Sequence, residues 1–87
     1  MASIGESTKI FLQDLIEYSC SGNAVLVKTE NLLFSTVITA PYMTWIVIYK
    51  GQRFTVTEEL GSFDTVNESI FRHILETDRK TDGTVNS

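Results

Sequence analysis

The run Leu32–Tyr49, LLFSTVITAPYMTWIVIY, holds eighteen consecutive residues without a charged side chain. A helix of that length just reaches across the apolar core of a bilayer, so the segment is either a membrane span or the centre of a folded core. Its composition favours the core. Pro41 sits mid-run, lacks an amide hydrogen and disfavours helix at Ala40. On either side lie Thr36–Thr39 and Thr44–Ile48, rich in the β-branched and aromatic types that suit strands. Ser35, Thr36, Thr39 and Thr44 also lower the hydropathy of the run. The segment reads as two strands joined near Ala40-Pro41-Tyr42, and no membrane association is expected.

The second of these strands feeds a hairpin, TWIVIYKGQRFTVTEE. A two-residue loop at Lys50-Gly51 pairs Val47 with Phe54, whereas a loop at Gly51-Gln52 pairs Tyr49 with Phe54. Glycine first in the loop suits a type II′ turn, so Gly51-Gln52 is the expected tip. Both registers place Trp45, Val47, Tyr49, Phe54 and Val56 on one face, which the helices should cover. The other face then carries Ile46, Ile48, Arg53, Thr55 and Thr57. A solvated sheet face ordinarily alternates to polar residues, so apolar Ile46 and Ile48 leave two readings open. Either a partner covers them, or the first helix or the tail does so, unless a Thr/Ile face is simply tolerated.

The strands are bracketed by helices. Ile10, Phe11, Leu12, Leu15, Ile16 and Cys20 fall at helical spacing, predicting a first helix over about 8–19 with Ser7 as its N-cap. Gly22-Asn23 supplies a left-handed stop. Ala24–Lys28 is a short strand; whether it joins Leu32–Thr39 as one bent strand or forms a separate one is open. Leu60-Gly61 ends the sheet and Ser62-Phe63-Asp64 reads as a turn. Thr65 followed by Glu68 is a capping box opening a second helix, with Val66, Ile70, Phe71, Ile74 and Leu75 as its buried stripe. Glu68 stands four residues before Arg72, the favourable order for a surface pair. Residues 77–87, TDRKTDGTVNS, lack apolar periodicity and are expected to be a flexible tail.

The expectation is therefore a single α+β domain over residues 1–76, an antiparallel three- to four-stranded meander flanked by an N-terminal and a C-terminal helix. With 87 residues there is room for one core only. The MASIGESTK start has no basic segment followed by an apolar one, and Ala2 stands where myristoylation needs glycine. Together with a single cysteine, this points to an intracellular, cytoplasmic protein.

Charge separates the function classes further. Eleven acids against seven bases give −4, and Glu58, Glu59, Asp64 and Glu68 lie within 58–71 with no Lys or Arg before Arg72. Such a window disfavours phosphate binding and suits a basic or nucleic-acid-binding protein partner. The spacing of these carboxylates does not match a calcium loop, and helix-start electrostatics accounts for Asp64 and Glu68, so no metal is expected. His73 has no second His or Cys at ligand spacing and no oriented partner for acid–base work. Cys20 near a helix end reads as an apolar filler. No glycines form a phosphate loop, and no cofactor is expected.

The reading that follows is a small acidic non-enzymatic protein-binding protein. An inhibitor or accessory factor of the mobile-element type has this general profile, and self-association as a homodimer fits it. Ile46, Ile48, Thr55, Glu58, Glu59 and Asp64 are the candidate contact residues. The alternative is a nucleic-acid-binding module that uses Lys50 and Arg53 at the hairpin tip.

Overall fold

The first turn of helix α1 (Glu6–Cys20) forms without a side-chain cap. The Gly5 carbonyl accepts from the Lys9 amide at 3.0 Å, so Ser7, expected to cap the helix, lies inside it. Glu6 sits in the first turn, where its carboxylate meets the positive end of the helix dipole. At the other end the Gly22 amide donates to the Ser19 carbonyl at 2.9 Å. Gly22 has φ +100°, and the Asn23 side-chain amide donates to the Tyr18 carbonyl, so Gly22-Asn23 is the expected stop.

In the computed structural model, which describes residues 5–81, four strands follow: β1 (Leu26–Lys28), β2 (Leu32–Thr39), β3 (Tyr42–Tyr49) and β4 (Gln52–Glu59). Helix α2 (Phe63–Thr81) closes the chain. The sheet is an antiparallel meander in the order β1-β2-β3-β4. The α+β fold expected from the sequence, a three- to four-stranded antiparallel meander between two helices, is observed with four strands, α-β-β-β-β-α.

The question of one bent strand or two is resolved as two. The Thr29 amide donates to the Leu32 carbonyl at 2.7 Å, closing a turn between β1 and β2. Beyond β1, Val25 and Thr36 continue the pairing, with the Val25 amide donating to Thr36 Oγ1 at 2.8 Å. The charge-free run forms β2 and β3, joined at Ala40-Pro41 as expected.

The hairpin tip differs from expectation. Tyr49 pairs with Gln52 and Val47 with Phe54, so the loop is Lys50-Gly51. Both loop residues have positive φ, +50° and +81°, the signature of a type I′ turn. Lysine is an unusual occupant of that conformation. Two long-range bonds hold it there: its amide donates to the Asn31 carbonyl at 2.9 Å, and its ammonium reaches Asp78 at 2.8 Å. Local turn preference favoured Gly51-Gln52; tertiary anchoring of Lys50 overrides it.

The inner face is as the alternation predicts. Trp45, Val47 and Met43 are fully buried, with Tyr49 close behind, and Phe34 of β2 joins them. Leu12 and Ile16 of α1 and Val66, Ile70 and Ile74 of α2 complete the core. Removing a ring such as Trp45 or Phe34 from a core of this kind costs about 3–5 kcal/mol. Two polar links tie the layers together. The Trp45 indole N–H donates to Ser19 Oγ at 2.8 Å, and that hydroxyl donates to the Ile16 carbonyl. The Gly61 amide donates to the Cys20 carbonyl at 3.1 Å, joining the end of β4 to the end of α1.

Four further expectations on the helices are corrected. α2 begins at Phe63, with the Ser62 carbonyl accepting from the Val66 amide, so Thr65 lies within the helix and the Thr65/Glu68 capping box does not set its start. Leu75 is about half exposed rather than part of the stripe. Ile10 and Phe11 of α1 are likewise exposed, leaving Leu12, Ile16, Ser19 and Cys20 as its buried positions. Most consequentially, residues expected as a flexible tail from Thr77 continue α2 to Thr81, and Thr77 and Asp78 are buried. The rest of that expected tail, 82–87, lies outside the described residues.

Candidate protein-binding face

Both helices contribute their buried residues to the inner face of the sheet, so the opposite face is set by strand register alone. Reading across the strands, one row is Lys28–Leu33–Ile48–Arg53 and the next is Leu26–Ser35–Ile46–Thr55. The two rows after that are Val37–Thr44–Thr57 and Thr39–Tyr42–Glu59. Leu26 is 74% exposed and Val37 50%, while Leu33, Ile46 and Ile48 are half-buried by their neighbours in the sheet. The centre of the face is thus apolar and Thr-rich. Lys28 and Arg53 flank one end and Glu59 the other.

Thr44 and Thr57 share one hydroxyl–hydroxyl hydrogen bond across β3 and β4 at 2.9 Å. At the basic end the face runs into an open cleft of about 390 Å³ between the β1–β2 turn and the hairpin tip, lined by Lys28, Leu33, Ile48 and Lys50 among others.

The structure brings together some of the residues singled out from the sequence and separates others. Ile46, Ile48, Thr55 and Glu59 share the outer face. Glu58 pairs with Met43 and points to the helix side, half-buried. Asp64 is exposed in the first turn of α2, and Glu68 is paired with Arg72 at 3.2 Å. The acidic window is therefore not one face of the sheet: Glu58 and Glu59 lie on opposite sides of it, and Asp64 and Glu68 belong to α2. Leu26, Leu33 and Val37 were not singled out, because the parity of β1 and β2 relative to β3 depends on turns whose lengths the sequence left open.

The remaining candidates have structural neighbours. Lys50 is held by Asp78, and its ammonium also lies 5.2 Å from the Tyr49 ring centroid. The hydrogen bond that the ammonium donates to Asp78 raises the Lys50 pKa above the ordinary lysine value. Burial, and then the bond to Asp78, likewise raises that of the Tyr49 hydroxyl. His73 stacks on Phe54 with ring centroids 5.1 Å apart, and its Nε2 lies 3.2 Å from the Gln52 carbonyl. Cys20 is a buried thiol whose pKa burial raises, the opposite of an activated nucleophile. Among the described residues no three His, Cys, Asp or Glu side chains gather as metal ligands, and no helix is long and apolar enough to cross a membrane.

No protein-family model, curated protein or solved structure shows significant similarity to this chain.

Proposed function

We propose that the chain is a small protein-binding protein that engages its partner through the outer face of the sheet. The observation that carries this reading is the apolar centre of that face, Leu26, Leu33, Val37, Ile46 and Ile48, which no other element among the described residues covers, with charge confined to its ends. A large side chain left three-quarters exposed at Leu26 gains free energy when a second surface excludes water from it. The ends of the face carry charge of both signs, Lys28 and Arg53 against Glu59, and a basic or nucleic-acid-binding protein would meet it at the Glu59 rim. A binding face without assigned chemistry is what an inhibitor or accessory factor uses. An intracellular setting suits a chain whose one cysteine is a buried thiol.

The nucleic-acid alternative is less well supported by the geometry. It relied on Lys50 and Arg53 acting together, and the Lys50 charge is matched by Asp78 within the fold.

The test compares affinity purification of the wild-type chain with Leu26→Asp and Ile46→Glu variants, both checked for an unchanged circular dichroism spectrum. The expected result is a stoichiometric protein partner recovered by the wild type and lost by both variants. Recovery of the same partner by all three would place the binding site elsewhere, and a gel shift with DNA or RNA at low salt would support the alternative.

A further inference from the structure

We propose that β4 pairs antiparallel with β4 of a second copy about a two-fold axis at Val56, giving one continuous eight-stranded sheet. β4 is the last strand of the sheet and has a neighbour on one side only. The Leu60 amide donates to the Pro41 carbonyl, which sets the phase of the β3–β4 ladder: even-numbered residues of β4 bond to β3. Arg53, Thr55 and Thr57 therefore direct their backbone amides and carbonyls outward, as Glu59 does its amide; the Glu59 carbonyl accepts from Ser62.

Natural edge strands are kept from pairing by shortness, proline, bulges or charged side chains. The outer-face charges of β4, Arg53 and Glu59, are of opposite sign and so can pair with each other instead of repelling. β1, at the opposite edge, spans three residues, whereas β4 spans eight with an unbroken register and no proline.

The side chains of β4 are complementary to themselves when the strand is reversed. An antiparallel pair centred on Val56 sets Arg53 opposite Glu59 of the second copy, twice by symmetry, and Thr55 opposite Thr57. Arg53, Thr55, Thr57 and Glu59 all project from the outer face, so the charge pairs and the threonine pairs form on one side. These pairs also fall on the outward-bonding residues, so backbone and side-chain requirements are met by one register. Sliding the partner by two residues in either direction keeps the backbone bonds but removes both Arg–Glu pairs. Neither Arg53 nor Glu59 has an ion-pair partner among the described residues. A consequence of an axis perpendicular to the sheet is that the two outer faces lie side by side on the same surface, doubling the proposed binding face. The pairing itself does not depend on that function.

The test is the mass of the full chain in solution, by sedimentation or light scattering over a dilution series. A dimer is expected for the wild type. Arg53→Glu and Glu59→Arg should each weaken it at least about tenfold, and the double reversal Arg53→Glu/Glu59→Arg should restore it, because the pair is re-formed with its signs exchanged. Thr55→Pro removes an outward-pointing amide without touching the β3–β4 ladder, and should give a folded monomer. A wild-type chain that stays monomeric to the high micromolar range would overturn the proposal. So would a dimer that survives Thr55→Pro, or one that the double reversal fails to restore. A dimer lost in Leu26→Asp but kept in Thr55→Pro would assign association to the sheet face instead.

Discussion

The Lys50 ammonium lies 2.8 Å from a carboxylate oxygen of Asp78, which also accepts the Tyr49 hydroxyl at 2.8 Å. This contact joins the hairpin tip to the last turns of α2, across 28 positions of sequence. It explains two features at once: why lysine accepts the left-handed position of a type I′ turn, and why a polar stretch with no apolar periodicity stays helical.

Removing the acceptor should therefore matter more than removing a surface charge. Asp78→Ala leaves the buried Tyr49 hydroxyl without its acceptor, a loss of about 2 kcal/mol. For a domain of this size that corresponds to roughly 8–16 °C in Tm by thermal melting. Truncation after Glu76 removes Thr77 and Asp78 together and should destabilise at least as much. A truncated chain with unchanged Tm would show that the last turns of α2 contribute nothing.

Burial of Tyr49 and this contact together make stability fall at alkaline pH. Tyr49 and Lys50 both hold their protons more tightly in the folded chain than in the unfolded one. Their contribution is fully present below the unfolded values, about 10 for tyrosine and 10.4 for lysine, and is lost as pH rises through the folded ones. Urea unfolding should show stability falling from about pH 10 upward, and falling less steeply in Asp78→Asn. An identical slope in the variant would mean that Asp78 is not the source.

Ser19 is a fully buried hydroxyl that accepts the Trp45 N–H. Ser19→Ala should cost about 1–3 kcal/mol, because the indole N–H is left in the core without a partner. Once Trp45→Phe has removed that N–H, the same substitution should cost less, with a coupling of about 1 kcal/mol in a double-mutant cycle. Additivity of the two substitutions would show the bond to be energetically idle.

Gly51 has φ +81°, and a Cβ there would meet no atom within 4 Å. The cost of Gly51→Ala is therefore conformational alone, about 1 kcal/mol, and Gly51→Asn should cost less because asparagine tolerates the left-handed region. Equal melting temperatures for all three chains would argue against a type I′ turn at this tip.

Much of the fold was readable because period and composition are local properties. The alternation from Trp45 to Val56 assigned the inner face, and Ile46, Ile48 and Thr55 were placed together on the outer one. Glycine at position 22 marked the end of α1. The acidic window failed as a surface because adjacent residues of a strand point to opposite faces, which sends Glu58 and Glu59 apart.

The sequence by itself determined the order of the elements, the antiparallel meander, the parity of the central hairpin and the membership of most of the core. These follow from hydrophobic periodicity and from residues such as Pro41 and Gly22 that restrict the backbone where they stand. Tertiary structure alone decided the tip of the hairpin, the length of α2 and what β1 and β2 add to the outer face. Lys50 finds Asp78 and Asn31, and Trp45 finds Ser19, only once distant segments pack. Leu26, Leu33 and Val37 join Ile46 and Ile48 only through the register of β1, β2 and β3. Contacts of that range depend on the whole chain, so no local preference encodes them.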